Sequence, residues 1–236
     1  MKLTSNITII FLVLVILAGS ILYNQNPSTT NTVSTTGSYT LTVEPDKATI
    51  YIGIETLKNS ADESKSENSR ITNAVLVSLY ELVGKENIET SQFSIYPEYD
   101  WTNGQKLKGY KTSNQLKVKT SNFEYIGKIV DVSTKSGATG INSINFELTE
   151  EKQASYKQEA LTKAAEESKQ KAQAIVSGIG SKLGKVVSIQ ENEYYYRPYP
   201  LYIKGSGAEL DQVVSTEILP INLEVTASVT LTYSVK

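Results

Sequence analysis

The sequence predicts an α+β domain of two layers, a mainly antiparallel sheet with helices on one face, preceded by an N-terminal transmembrane or signal helix. Three observations carry that expectation. From Ile221 to Val235, Ile, Leu, Val, Ala, Val, Leu, Tyr and Val alternate without error with Asn, Glu, Thr, Ser, Thr, Thr and Ser. A strand that long, apolar on one side and polar on the other, belongs to an antiparallel sheet covered on one face. Upstream, capped helical patterns interrupt strand patterns in the order β-β-α-β-β-α-β-α-β-β, which segregates helices and strands into layers. At the start, Ile7 to Leu22 is interrupted by Thr8, Gly19 and Ser20 alone, and no Asp, Glu, Lys or Arg occurs between Lys2 and Glu44. That run is too long for a core strand and lacks the polar face of a core helix.

Residues 1–23 therefore read as a membrane anchor or signal segment, 24–32 as a linker and 33–236 as the folded domain. The core Ile9 to Leu17, followed by Ala18-Gly19-Ser20, fits a cleaved leader. The apolar run resumes at Ile21-Leu22-Tyr23, which fits a retained anchor of near-spanning length with Tyr23 at the interface. Ser20 stands where a lipoprotein box needs cysteine. Lys2 keeps the N-terminus inside, so the domain is expected outside the cytoplasm. It is single-pass in the cell membrane if the anchor is retained, and secreted or periplasmic if the leader is cleaved. Asn24 to Thr32, NQNPSTTNT, has too little apolar surface to fold.

Val33, Thr35, Gly37, Tyr39, Leu41 and Val43 alternate with hydroxyl residues as a first strand. Glu44-Pro45-Asp46 breaks the pattern as a turn. A second strand follows with Ala48, Ile50, Ile52 and Ile54 inward, and these two strands are expected to pair as a hairpin. Ser60-Ala61-Asp62-Glu63 is a capping box. It opens a helix whose apolar face is Ile71, Ala74, Val75, Leu79 and Leu82, stopped by Gly84. Ile88 to Asp100 and Leu107 to Thr120 are β-prone runs joined around Asn103-Gly104, a pair suited to a type I′ turn. A second helix covers Phe123 to Lys135 and a short strand Ile141 to Leu148.

The longest helix runs from Glu150 to Ile179 behind the N-cap Thr149. Its sheet-facing stripe is expected to be Leu161, Ala165, Ser168, Ala172, Ile175 and Ile179, small enough for close packing on the protein's own sheet. Leu183 to Ile189 returns to strand.

Composition removes much chemistry. The 236 residues include neither histidine nor cysteine, and 23 basic side chains meet 25 acidic ones for a net charge of −2. Without imidazole or thiol there is no histidine general base, no cysteine nucleophile, no zinc cluster and no disulfide framework. The balanced charge offers no footprint for nucleic acid. Pairs such as Glu150-Glu151 and Glu166-Glu167 point in different directions on a helix, unlike the convergent carboxyls of a glycosidase. At Asp100, Lys111 stands where a calcium loop needs a bidentate acid. No cofactor is expected.

Aromatic clustering rises above this background. Tyr194, Tyr195, Tyr196, Tyr199 and Tyr202 crowd together around Arg197, Pro198 and Pro200, and Tyr96, Tyr99, Trp101 and Tyr110 decorate the central hairpin. Tyrosine and tryptophan supply rigid amphipathic contact area, as interfaces and sugar stacking require. These are the candidate partner-binding residues. The stretch from Tyr194 to Gln212 reads as a long loop reaching a neighbouring subunit, and the uncharged strand Ile221 to Val235 as one that pairs within the fold or with a second copy.

Three blocks resemble one known family. VSTTGSYTLTVEPDKATIYIGI, Val33 to Ile54, carries Gly37 and the Pro45-Asp46 turn. Ile88 to Val118 carries Thr90-Ser91, Ile95, Pro97, Tyr99-Asp100 and Gly109-Tyr110. The third joins Ala160 to Ile179, Leu183-Gly184-Lys185-Val186 and the ending Pro220 to Val235. In this order the chain is similar to the SIMPL-domain (DUF541) family, which includes periplasmic immunogenic proteins. The resemblance implies an α+β envelope protein that tends to self-associate, linked to envelope integrity or stress, with no catalytic residues to carry over. The expected function is non-enzymatic binding or self-assembly at the cell envelope, as a homo-oligomer held at the membrane through Ile7 to Leu22. The alternative is a carboxylate-dependent hydrolase or binder of envelope glycans.

Overall fold

A computed structural model describes residues 31–102, 104–201 and 216–236. The elements are β1 (Thr32–Val43), β2 (Lys47–Lys58), α1 (Ala61–Val83), β3 (Ile88–Asp100), β4 (Lys106–Thr120) and α2 (Glu124–Lys135). They continue with β5 (Gly140–Glu147), α3 (Glu150–Gly178), β6 (Leu183–Tyr196), β7 (Tyr199–Leu201) and β8 (Leu223–Val235). The class is α+β, and the strands divide into two sheets, β1-β8-β6 and β3-β4-β2-β5-β7. All pairings between these strands are antiparallel.

The helix starts follow their caps. The Ser60 hydroxyl accepts the Glu63 amide at 3.3 Å, and the Thr149 hydroxyl accepts the Lys152 amide at 3.4 Å. Gly84 ends α1 at φ 80°, a conformation that side-chain-bearing residues avoid. Ile50, Ile52, Ile54, Leu116, Val118, Ile144 and Phe146 fill the five-stranded sheet's inner face. Above them sit Val75 and Leu79 of α1 and Ile126 and Ile129 of α2, all fully buried. Each such side chain contributes about 1.5–3 kcal/mol on leaving water, an upper value against an extended reference chain.

The three-stranded sheet is covered differently. Helix α3 buries Ala160, Ala164, Ser168, Ala172 and Val176. At Gly37 of β1 a Cβ would collide with the Ala164 carbonyl and the Ser168 amide. Thr35 Oγ1 donates to the Ser168 carbonyl at 2.8 Å while Ser168 Oγ donates to the Thr35 carbonyl at 2.8 Å. The same reciprocal lock recurs on the other sheet, where Thr56 Oγ1 donates to the Ser64 carbonyl and Ser64 Oγ to that of Thr56. Val43, Leu223, Val225 and Ala227 belong to the main core, while Ala164, Ala172, Val229, Leu231 and Tyr233 form a second, smaller cluster under α3.

Several expectations are corrected. Strands β1 and β2 do not pair as a hairpin: β1 pairs with β8, and β2 pairs with β4 and β5. The corner between them is held by Asp46, whose carboxylate accepts the Thr149 amide and hydroxyl at 2.7 Å each. The chain therefore passes from one sheet to the other while bracing the start of α3. The C-terminal strand β8 is central, flanked by β1 and β6, so its backbone is paired within the fold. In α3, Ser168 and Ala172 face the sheet as expected, but Ala160, Ala164 and Val176 complete the buried line in place of Leu161, Ala165, Ile175 and Ile179, the last two exposed at 51% and 69%. The close approach at Gly37 leaves room for alanine and serine on the contact line, and bulkier residues flank it. In α1, Ala74 is exposed and the buried line includes Ser64, Asn68 and Thr72. Strands β3 and β4 do pair, but their connection runs from Trp101 to Gln105, longer than a two-residue turn, with Gly104 at φ 90° and Asn103 outside the described residues. The segment Ile7 to Leu22 and nearly all of the linker also lie outside them.

Candidate functional site

Of the aromatic residues singled out from the sequence, the described ones divide between the end of β6 with β7 and the β3–β4 hairpin. Strand β6 continues through Tyr194, Tyr195 and Tyr196, so the expected loop begins later, and Tyr199 opens β7. Residues 202–215, with Tyr202, lie outside the described residues.

Alternation along β6 sends its tyrosines in opposite directions. Tyr194 and Tyr196 pair with Ala227 and Val225 and pack on the main core. Lys157 Nζ stands 4.9 Å from the Tyr194 ring centroid and is paired with Glu191 at 2.9 Å. The Tyr194 hydroxyl is buried with no hydrogen-bond partner among the described residues. The Tyr196 hydroxyl accepts the Leu148 amide at 2.7 Å. Burial pushes its pKa upward, opposed by that hydrogen bond. These two rings are structural. Tyr195 lies opposite Thr226 on the outer face and is 52% exposed. With Arg197, Pro198, Pro200, Asn222 and Glu224 it lines an open cleft of about 810 Å³. Of these, Asn222 and Glu224 escaped the sequence reading, which had no signal that the start of β8 would meet the end of β6.

The second surface is the β3–β4 hairpin. Phe93, Ile95, Pro97, Tyr99 and Trp101 alternate with Gln92, Ser94, Tyr96, Glu98 and Asp100. Phe93, Ile95 and Trp101 are exposed, Trp101 at 68%, and Leu107, opposite Tyr99, is exposed beside them. The Tyr99 and Trp101 ring centroids are 6.1 Å apart at 53°. Tyr96 points to the other face and Tyr110 is half-buried. Asp100 accepts the Thr102 amide at 2.9 Å and hydroxyl at 2.7 Å, which holds its carboxyl below the usual range. Lys111 forms an ion pair with Glu55 at 2.6 Å, and that hydrogen bond raises its pKa against the opposing effect of burial. Phe93, Ile95 and Leu107 were missed as surface residues, although their period of two was legible.

The carboxylates of Glu166 and Glu167 are engaged by neighbours. Glu166 pairs with Lys163 at 3.2 Å. Glu167 Oε2 accepts the Ser38 amide at 2.6 Å and pairs with Lys171 at 3.1 Å, while Lys171 Nζ donates to the Thr36 carbonyl at 3.0 Å. The Ser38 hydrogen bond, then Lys171, keeps the Glu167 carboxyl below its ordinary range. Among the described residues no group of three acidic side chains is placed to hold a metal ion. None of their helices is long and apolar enough to cross a membrane.

Against this geometry, residues 33–233 match a protein family described as SIMPL, protein of unknown function (DUF541). The chain belongs to the SIMPL family. It is similar to the uncharacterized protein YggE of Escherichia coli K12, 27% identical over 173 residues, which is 72% of this chain and 69% of the relative. The YggE protein of Shigella flexneri matches equally, at 27%. The 26 kDa periplasmic immunogenic protein of Brucella melitensis is 25% identical over 185 residues, covering 75% of this chain and 73% of the relative. The SIMPL match includes the Gly37 contact with α3 and the Asp46 brace on Thr149.

Proposed function

We propose that this SIMPL protein works outside the cytoplasm, at the cell envelope, by binding and self-assembly and without catalysis. The observation that carries the reading is the exposed hairpin stripe Phe93, Ile95, Tyr99 and Trp101, an apolar surface of the kind proteins keep for contact with another molecule. The periplasmic name of the Brucella relative supports an extracytoplasmic place. Ile7 to Leu22 would hold the chain in the membrane, as a retained anchor or, after cleavage, would release it. A homo-oligomer formed through this hairpin is the form of assembly proposed, with a role in envelope integrity or stress.

Protease added to intact cells, together with cross-linking of the full chain in its own membrane, tests both parts. Digestion of the domain from outside and cross-linked multimers are expected, with Trp101→Ala lowering the multimer yield. A domain protected in the cytoplasm would overturn the reading. The hydrolytic alternative needs two converging carboxyls. Glu224 is the sole acid among the described cleft residues, so observation favours binding.

A further inference from the structure

We propose that the outer face of the three-stranded sheet and the adjoining cleft form one surface that binds an uncharged polysaccharide chain. The proposal rests on the reading that this domain acts by binding outside the cytoplasm, and it names the ligand class.

The outer positions of β1 are Ser34, Thr36, Ser38, Thr40 and Thr42, and those of β8 from Thr226 to Ser234 are again all serine or threonine. Neither strand's outer face carries a charge over these stretches, in a chain of which 20% is charged. The hydroxyls are held in place across the strands. Thr36 bonds Thr230 at 2.8 Å, Thr40 bonds Thr226 at 2.8 Å and Thr232 donates to Ser34 at 3.1 Å. Asn192 of β6 donates to Thr230 at 2.7 Å and extends the lattice to the third strand. Each hydroxyl has one proton and two lone pairs, so a pairwise bond leaves it capacity for a ligand. Because the rotors are already fixed, binding loses little side-chain entropy.

At the Thr226 end the lattice runs into the cleft. Tyr195, beside Thr226, presents an exposed ring for stacking, and Arg197, Asn222 and Glu224 supply donors and acceptors of both kinds. The cleft volume of about 810 Å³ is that of a site for a ligand of several rings. The ligand chemistry follows by elimination. An anionic polymer or membrane requires clustered lysine and arginine, and a protein partner requires an apolar, aromatic centre. The hydroxyl lattice has neither, and the apolar wall of the cleft, Ile221, Leu223, Pro198 and Pro200 beside Tyr195, is confined to one end of it, where a sugar ring face can pack. A neutral glycan has hydroxyls to match it and a ring face for Tyr195.

The test is co-sedimentation of the full chain, in a polyoxyethylene detergent free of sugar headgroups, with insoluble cellulose, chitin and β-1,3-glucan. Retention on at least one of them is expected. Tyr195→Ala and Thr230→Lys should each weaken it by about tenfold, the loss typical of a central contact. Thr230→Val keeps the strand shape while removing the hydroxyl, and should also weaken retention. Lys65→Gln, on α1, should not. No retention on any of the three overturns the glycan proposal, while the protease test on intact cells separately decides whether the domain lies outside. Retention unchanged in Tyr195→Ala and Thr230→Val overturns it too. So does a Thr230→Lys effect confined to the oligomeric mass, which would assign the face to a second copy.

Discussion

Over the five-stranded sheet, α1 and α2 stand on a bed of isoleucine, leucine, valine and phenylalanine. Over the three-stranded sheet, α3 meets Val229, Leu231 and Tyr233 with its own alanines and Ser168, close enough for Gly37 to touch its backbone. The first arrangement gains stability from apolar area removed from water. The second gains less from area and more from close atomic contact and the Thr35–Ser168 lock, so it tolerates no added volume. Each sheet should consequently fail under the opposite kind of substitution.

The largest effect is expected in the aliphatic half. Ile52 is fully buried, and Ile52→Ala should lower unfolding free energy by about 2–5 kcal/mol, the lost transfer energy plus a cavity. Urea denaturation measures it, and a loss under about 1 kcal/mol would mean the bed collapses around the gap. Gly37→Ala adds one methyl where the other half has no space, and about 1–3 kcal/mol of destabilisation is expected from overpacking. Its signature is local: hydrogen exchange should rise in α3 and β1 before it rises in α1. Uniform exchange across both halves would show that the sheets share their stability and that the contrast is one of geometry alone.

The smallest effect concerns Glu167, whose carboxyl is acidified by the Ser38 amide and Lys171. A group with a depressed native pKa stabilises above its unfolded value, about 4.3, and loses that contribution as pH falls through the native value. The protection factor of the Ser38 amide should therefore hold at neutral pH and decline on acidification below about 4. Glu167→Gln should remove that pH dependence. An unaltered acid profile in the variant would assign the transition to another group.

How much was legible depended on the range of the interactions. The α1 start at Ser60, its stop at Gly84 and the α3 start at Thr149 follow from neighbours within a few residues, and all three were readable. Strands β3 and β4 were readable because their runs are long and adjacent. The partners of β1 were not. Three turn residues between two alternating strands look like a hairpin, and nothing local reveals that Asp46 braces Thr149, far along the chain. In α3, Ser168 and Ala172 were read correctly, but the rest of the stripe was misplaced because hydrophobicity ranks isoleucine above alanine, whereas the contact at Gly37 selects for size. At the candidate site, residue types were legible and their directions were not. Tyr194, Tyr195 and Tyr196 are indistinguishable in sequence, yet β6 turns two inward and one outward.

The salt-bridged pair Glu167 and Lys171 has a further consequence for the life of this protein in solution. Strand β1 has 12 residues, TVSTTGSYTLTV, without charge or proline. That is the composition from which fibrils grow when identical segments stack in register. In the folded domain its free edge is occupied at Ser38 and Thr36 by the side chains of its own helix. Aggregation resistance and the docking of α3 are thus a single property. Heat, acid or a swollen Gly37 contact that lifts α3 uncovers the one strand most ready to seed a fibre, and the same step supplies the lesion and the template.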